Sequence, residues 1–263
     1  MKKILMTAAL LISSYAMAAD VQTIVETAHK NSYYQAKDGK AQVLMKVFQK
    51  DNDKPIKKMF YMLRLDIEDG GEQMFLTYFV APSDLKRTTF LVHKKIKEDD
   101  FRRLYIPASD KVLAIAGSRK QDPFMGSDFS YEDVSGRHYT KDNHKLLKED
   151  KLGSDDVYVV ESIPKVKEEK LAKMTSWITK ADFIPVKVEY TNHDGKVYRV
   201  YTGEDIQDIQ GFKTVIKRTM KSPLEGTYTE MLFNPKNIKY DVGLEKKHFT
   251  ERSLKNPPMN FMN

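Results

Sequence analysis

Three carboxylates are the residues best placed to do chemistry in this 263-residue chain. Asp128, Glu132 and Asp133 lie within Met125-Gly126-Ser127-Asp128-Phe129-Ser130-Tyr131-Glu132-Asp133. On a helix, Asp128 and Glu132 share one face at a spacing of four, as paired carboxylates for general acid–base work would. A plainer reading fits the same spacing. Ser127 or Asp128 caps a short helical turn, and the acids gather where its positive end favours them. Elsewhere the chemistry thins out. His29, His93, His138, His144, His193 and His248 are scattered, with no pair at the spacing of a zinc-binding helix. There is no nucleophile elbow and no Gly-rich phosphate loop. The absence of cysteine excludes disulfides, thiol nucleophiles and Cys-ligated metals. The sequence therefore nominates no nucleophile, metal or cofactor. It reads as a non-enzyme, with a hydrolase using Asp128 and Glu132 as the enzymatic alternative.

The N-terminus says where such a chain works. Lys2 and Lys3 precede an apolar run from Ile4 to Met17 and the small-residue pattern Ala16-Met17-Ala18. These are the parts of a secretory signal peptide over residues 1–18, cleaved after Ala18 or Ala19. The run is shorter than the roughly 20 apolar residues a spanning helix needs. The expected product is an exported, periplasmic domain over residues 19–263. The formal charge of +7 favours anionic partners such as lipid headgroups or membrane surfaces, and export argues against nucleic acid.

The elements that would position any site are mostly strands. Asp20 is a plausible N-cap for a helix over Val21–Tyr34, with Val21, Ile24, Val25 and Ala28 at helical spacing. Period two then takes over. Met59, Tyr61, Leu63, Leu65 and Ile67 alternate with Lys58, Arg64 and Asp66, which predicts a long half-buried strand over Ile56–Ile67. Further strands are predicted at Ala41–Phe48, Gln73–Val80, Thr88–Val92, Arg102–Ile106 and Lys111–Ile115. Beyond the middle they are predicted at Val157–Ile163, Met174–Thr179, Ile184–Tyr190, Val197–Tyr201, Phe212–Met220 and Thr227–Phe233. The joints carry turn chemistry, as in Asp69-Gly70-Gly71 and Asn192-His193-Asp194-Gly195. Short turns make the neighbours antiparallel, and a meander of about ten or eleven strands tends to curl. No linker divides the chain, so one domain is expected.

A large curled sheet needs a cover, and the sequence supplies few amphipathic helices. A partly closed apolar cavity follows. Thirteen methionines suit a surface that accepts varied apolar ligands, although ordinary core packing uses them too. The long odd-numbered stripe makes Met59, Tyr61, Leu63 and Leu65 the candidate cavity lining, with a solid core as the rival reading. Phe124, Met125, Gly126, Ser127, Asp128 and Phe129 are the candidate mouth of that cavity, acting structurally or as a gate.

The middle of the chain also carries a resemblance. Leu104-Tyr105-Ile106-Pro107, Ile115-Ala116-Gly117-Ser118 and Phe124 to Asp133 are similar to the outer-membrane lipoprotein-sorting protein family, which is LolA/LolB-like in fold. Trp177 to Pro185 and His248 to Leu254 resemble it as well. The resemblance implies a mainly β (α+β) fold: an unclosed antiparallel β half-barrel with helices over its concave face. It implies a periplasmic carrier of lipid or lipoprotein acyl chains, moving them toward the outer membrane and serving transporters of the resistance–nodulation–division (RND) type. It brings no catalytic residues. An accessory or sensory subunit that docks on an envelope transporter without cargo is the alternative of another class.

Overall fold

The computed structural model describes residues 20–262, so the expected signal peptide and its cleavage site lie outside the described residues. The chain enters through α1 (Val21–Tyr33). The Asp20 carboxylate accepts a hydrogen bond from the Thr23 amide and caps it, as the sequence led us to expect. Its buried stripe of Ile24, Val25 and Ala28 packs on Val160 and Ile178 of the sheet.

Two meanders follow. The first runs through β1 (Asp38–Phe48), β2 (Ile56–Asp66), β3 (Gln73–Ala81), β4 (Thr89–Lys94), β5 (Phe101–Ile106) and β6 (Lys111–Ala114). A crossover then carries α2 (Tyr131–Ser135). The second meander is β7 (Asp142–Leu152), β8 (Asp155–Pro164), β9 (Lys173–Thr179), β10 (Pro185–Thr191), β11 (Val197–Ile209), β12 (Phe212–Ser222) and β13 (Thr227–Phe233). The short β14 (Lys239–Tyr240) pairs with β1, and the last helix is α3 (Glu251–Lys255).

All strands join one 14-stranded antiparallel sheet in the order β6-β5-β4-β3-β2-β1-β13-β12-β11-β10-β9-β8-β7, with β14 beside β1 off this path. Within that order the non-local seam, β1 against β13, stitches the meanders together; it pairs Val43 with Phe233 and Met45 with Met231. The outer strands β6 and β7 stay unpaired to each other, so the sheet is an unclosed half-barrel. Local turn chemistry dictates the meanders, while the β1–β13 seam closes a separation of nearly the whole domain.

Register assigns the two faces of the sheet. On the inner face, Phe60 pairs with Val43 and Phe79, and Thr77 with Phe90. This layer also receives Phe124, Phe129, Tyr131 and Val134 from the crossover. On the outer face, Leu63 pairs with Leu76 and Leu76 with Leu91. Leu244, Phe249, Leu254 and Met262 of the C-terminal segment close over them. The first meander is therefore covered on both sides.

Candidate functional site

The inner face is not filled. Three small cavities, of about 140, 150 and 80 Å³, lie between the sheet and its roof. Ser32 and Tyr33, in the last turn of α1, border all three, so the cavities lie side by side. Met62, Met220, Met231 and Phe129 line the first of them. Flexible thioethers around a void make a wall that can reshape around an apolar guest.

The crossover forms the second half of the roof, and its anchoring is specific. Phe124 is fully buried and lies 5.5–6.3 Å, ring to ring, from Phe60, Phe79, Phe90 and Tyr131. Met125 and Gly126 turn the chain with φ of 51° and 70°, and Lys58 donates to the Met125 carbonyl. Asp128 accepts from the Thr227 and Thr229 hydroxyls at 2.5 and 2.7 Å, which ties the crossover to β13. Ser130, not Ser127 or Asp128, caps α2 and forms a reciprocal capping box with Asp133. The Ser127 hydroxyl instead donates to the Phe124 carbonyl at 2.7 Å.

Charge is unusually dense beneath this roof. Glu132 is buried beside Arg137 at 3.2 Å and Lys120 at 3.3 Å. Burial alone would raise its carboxyl; the two cations outweigh that and hold it below its usual value. Arg199 pairs with Asp133 at 2.7 Å and lies 4.5 Å over the Tyr190 ring. Burial raises the phenols of Tyr33 and Tyr201, against the opposing charge of Arg218, so both remain protonated donors. A larger cleft of about 1080 Å³ also exists, but charged loop residues such as Lys97, Asp99, Lys167 and Glu168 dominate it. Its polarity does not suit acyl chains.

Comparison with known proteins places this arrangement. A family model described as "uncharacterized protein" matches residues 71–256. An outer membrane lipoprotein-sorting protein domain from Vibrio parahaemolyticus superposes with a TM-score of 0.81 at 28% identity, covering 89% of this chain and 97% of that one. The chain belongs to the family that this model describes, and its fold is LolA-like. A DUF1329 family protein from Desulfovibrio piger matches with a TM-score of 0.81 at 25% identity, over 89% of this chain and 98% of its own. A LolA superfamily protein from Nitrosomonas europaea shares the fold, with a TM-score of 0.68 at 16% identity over 89% of this chain and 99% of that one. No curated protein matches the sequence.

Within this LolA-like frame the sequence-derived residues divide. Met59, Tyr61, Leu63 and Leu65 do not line the inner cavities. Leu63 and Leu65 belong to the outer layer with Leu76 and Phe249, and Tyr61 packs against it. Tyr61 accepts from Gln42 at 3.1 Å, and Gln42 also contacts the Met59 sulfur. Strand alternation tells which residues share a face, but not which face turns inward, and the C-terminal segment supplies an apolar cover for the odd-numbered one. The inward residues of β2 are Phe60, Met62 and Arg64, in a mixed pattern that gave no clean stripe. Of the crossover residues, Phe129 borders a cavity, whereas Phe124 fills the core. Asp128 and Glu132 hold different partners, so the acid–base pair is not assembled. Tyr33, Tyr201 and Arg218 carried no sequence motif. Only the fold brings them together.

Proposed function

We propose that this protein is a periplasmic carrier that holds acyl chains of a lipid or lipoprotein between the inner face of its sheet and the roof of α1 and the crossover. The reading rests on the adjacent cavities, with methionines in their walls, beneath α1 and the crossover. Each methylene buried there contributes about 0.8 kcal/mol, enough for a single chain to give useful affinity. An apolar void of about 150 Å³ holds one benzene, so each cavity as it stands admits only part of a chain. Loading therefore displaces the α1 end or Phe129 and repacks the methionines.

No helix among the described residues is long and apolar enough to cross a membrane. A carrier then needs a donor and an acceptor, because it cannot shift the cargo's equilibrium alone. An RND-type transporter is the proposed partner on one side, and the outer membrane the destination on the other. This reading assigns no catalytic group. Native mass spectrometry of gently purified envelope protein tests it: a mass increment that fragments to a lipid is expected, and a lipid-free protein that also fails to take up added acyl chains would overturn it.

A further inference from the structure

Arg218 differs from every other cation under the roof. Arg64 is held by Asp66 at 2.5 Å, Arg137 by Asp142 at 2.7 Å and Arg199 by Asp133 at 2.7 Å. Arg102 pairs with Asp100, and Lys94 donates to the Ser135 carbonyl at 3.2 Å. Arg218 lines two of the three cavities, 4.5 Å over the Phe233 ring. Its Nε is buried without a partner. No carboxylate or carbonyl among the described residues accepts from its guanidinium.

Two more unused donors face the same space. Tyr33 and Tyr201 line the cavity with Arg218, and neither hydroxyl has a hydrogen-bond partner among the described residues. Register places Gly203 opposite Arg218, and the Tyr201 hydroxyl lies so close above Gly203 that a Cβ there would come within 3.0 Å of it. Asp133, the carboxylate on this cavity wall, is already matched by Arg199. A half-buried guanidinium with no acidic partner leaves positive charge unmatched in this cavity. The arrangement is stabilised by a ligand that brings the missing negative charge, for which the planar fork and two hydroxyls supply strong charge-assisted hydrogen bonds.

We infer that the cargo is an anionic amphiphile: its oxyanion headgroup, carboxylate or phosphate, is received by Arg218, Tyr33 and Tyr201, and its acyl chain lies among Met62, Met220 and Met231. This inference rests on the carrier reading and narrows it, since a purely apolar grip would leave Arg218 unmatched.

Calorimetric titration of the delipidated mature protein tests it at about pH 8, where both headgroups are ionised. The probes are dodecanoate, dodecyl phosphate, the neutral dodecanol of equal chain length, and inorganic phosphate. Both anionic amphiphiles should bind at least about tenfold more tightly than dodecanol, the scale of a charge-assisted hydrogen bond. Arg218→Gln should bring them down to the alcohol's affinity. Lys217→Gln, at the neighbouring cation paired with Glu204 on the other face of β12, should preserve the preference. If Arg218→Gln does not fold, the double variant Tyr33→Phe, Tyr201→Phe should lose several-fold of the anion preference. Equal binding of dodecanol and the anions by the wild type would overturn the headgroup inference and leave the carrier standing. Inorganic phosphate binding as tightly as dodecyl phosphate would overturn the amphiphile in favour of a free-anion site. Failure of all three chain-bearing probes would overturn the carrier reading itself.

Discussion

The two faces of β2 carry opposite instructions. Its outward residues Leu63 and Leu65 are sealed, at 0% and 3% exposure, among leucines and the C-terminal segment. Its inward residues Phe60, Met62 and Arg64 face aromatic rings, voids and matched charges. The outer layer is uniform because its task is to exclude water, and a uniform aliphatic stripe does that with little specification. The inner layer is irregular because space, flexible thioethers and charged groups must coexist there. A clean alternating pattern thus marks the filled face of this sheet, and the cavity-facing surface hides in the less regular set of residues.

The greatest loss is expected in the outer layer. Leu63→Glu buries an unpaired charge in a filled layer and should cost more than about 4 kcal/mol, read as loss of the cooperative transition in denaturant titration. A folded, stable Leu63→Glu protein would show that the outer face has room. Phe249→Ala removes the centre of the C-terminal cover, fully buried in the wild type, and should cost about 3–5 kcal/mol by the same titration while acyl-chain affinity in the folded protein stays near wild type. Phe129→Ala sits beside an existing void, so its loss is smaller, about 3 kcal/mol or less. It should instead alter the dissociation rate of a bound acyl-chain probe several-fold. An unchanged rate would remove Phe129 from the roof.

The smallest expected effect concerns pH. Burial lowers the His29 imidazole well below its usual 6.5, and Lys94 and His138 nearby push the same way. His29 is therefore neutral in the fold, while the unfolded chain protonates near its usual value. Its contribution is complete above about pH 6.5 and is lost as pH falls, because the unfolded state then binds the extra proton. His29→Phe should flatten the acid side of the melting-temperature profile, with His138, also lowered by burial, supplying what remains.

Local chemistry was legible where it acted alone. The Asp20 cap, the helix from Val21 and a dozen strands follow from spacing and turn residues, and Thr227–Phe233 matches its expected limits. The meander was expected to hold ten or eleven strands, and the sheet has 14. Asp142–Leu152 was missed because an edge strand, largely exposed and rich in Lys and Asp, has no apolar alternation to display. β14 is only two residues long and owes its place to β1. The helix cap fell at Ser130 because Asp128 is claimed by Thr227 and Thr229, a contact spanning about 100 residues that no local window contains. The cavity lining failed for the same reason. Which face turns inward depends on the crossover and the C-terminal segment, and both must fold before the question has an answer.

Photocrosslinking distinguishes cargo held against the inner face from cargo held elsewhere. The mature protein, loaded with a fatty acid bearing a diazirine along its chain, is irradiated, digested and mapped by mass spectrometry. Adducts on Met62, Met220, Met231 or Phe129 are the predicted result. Adducts confined to the outer layer, at Leu63, Leu65 or the segment from Leu244 to Met262, would contradict it.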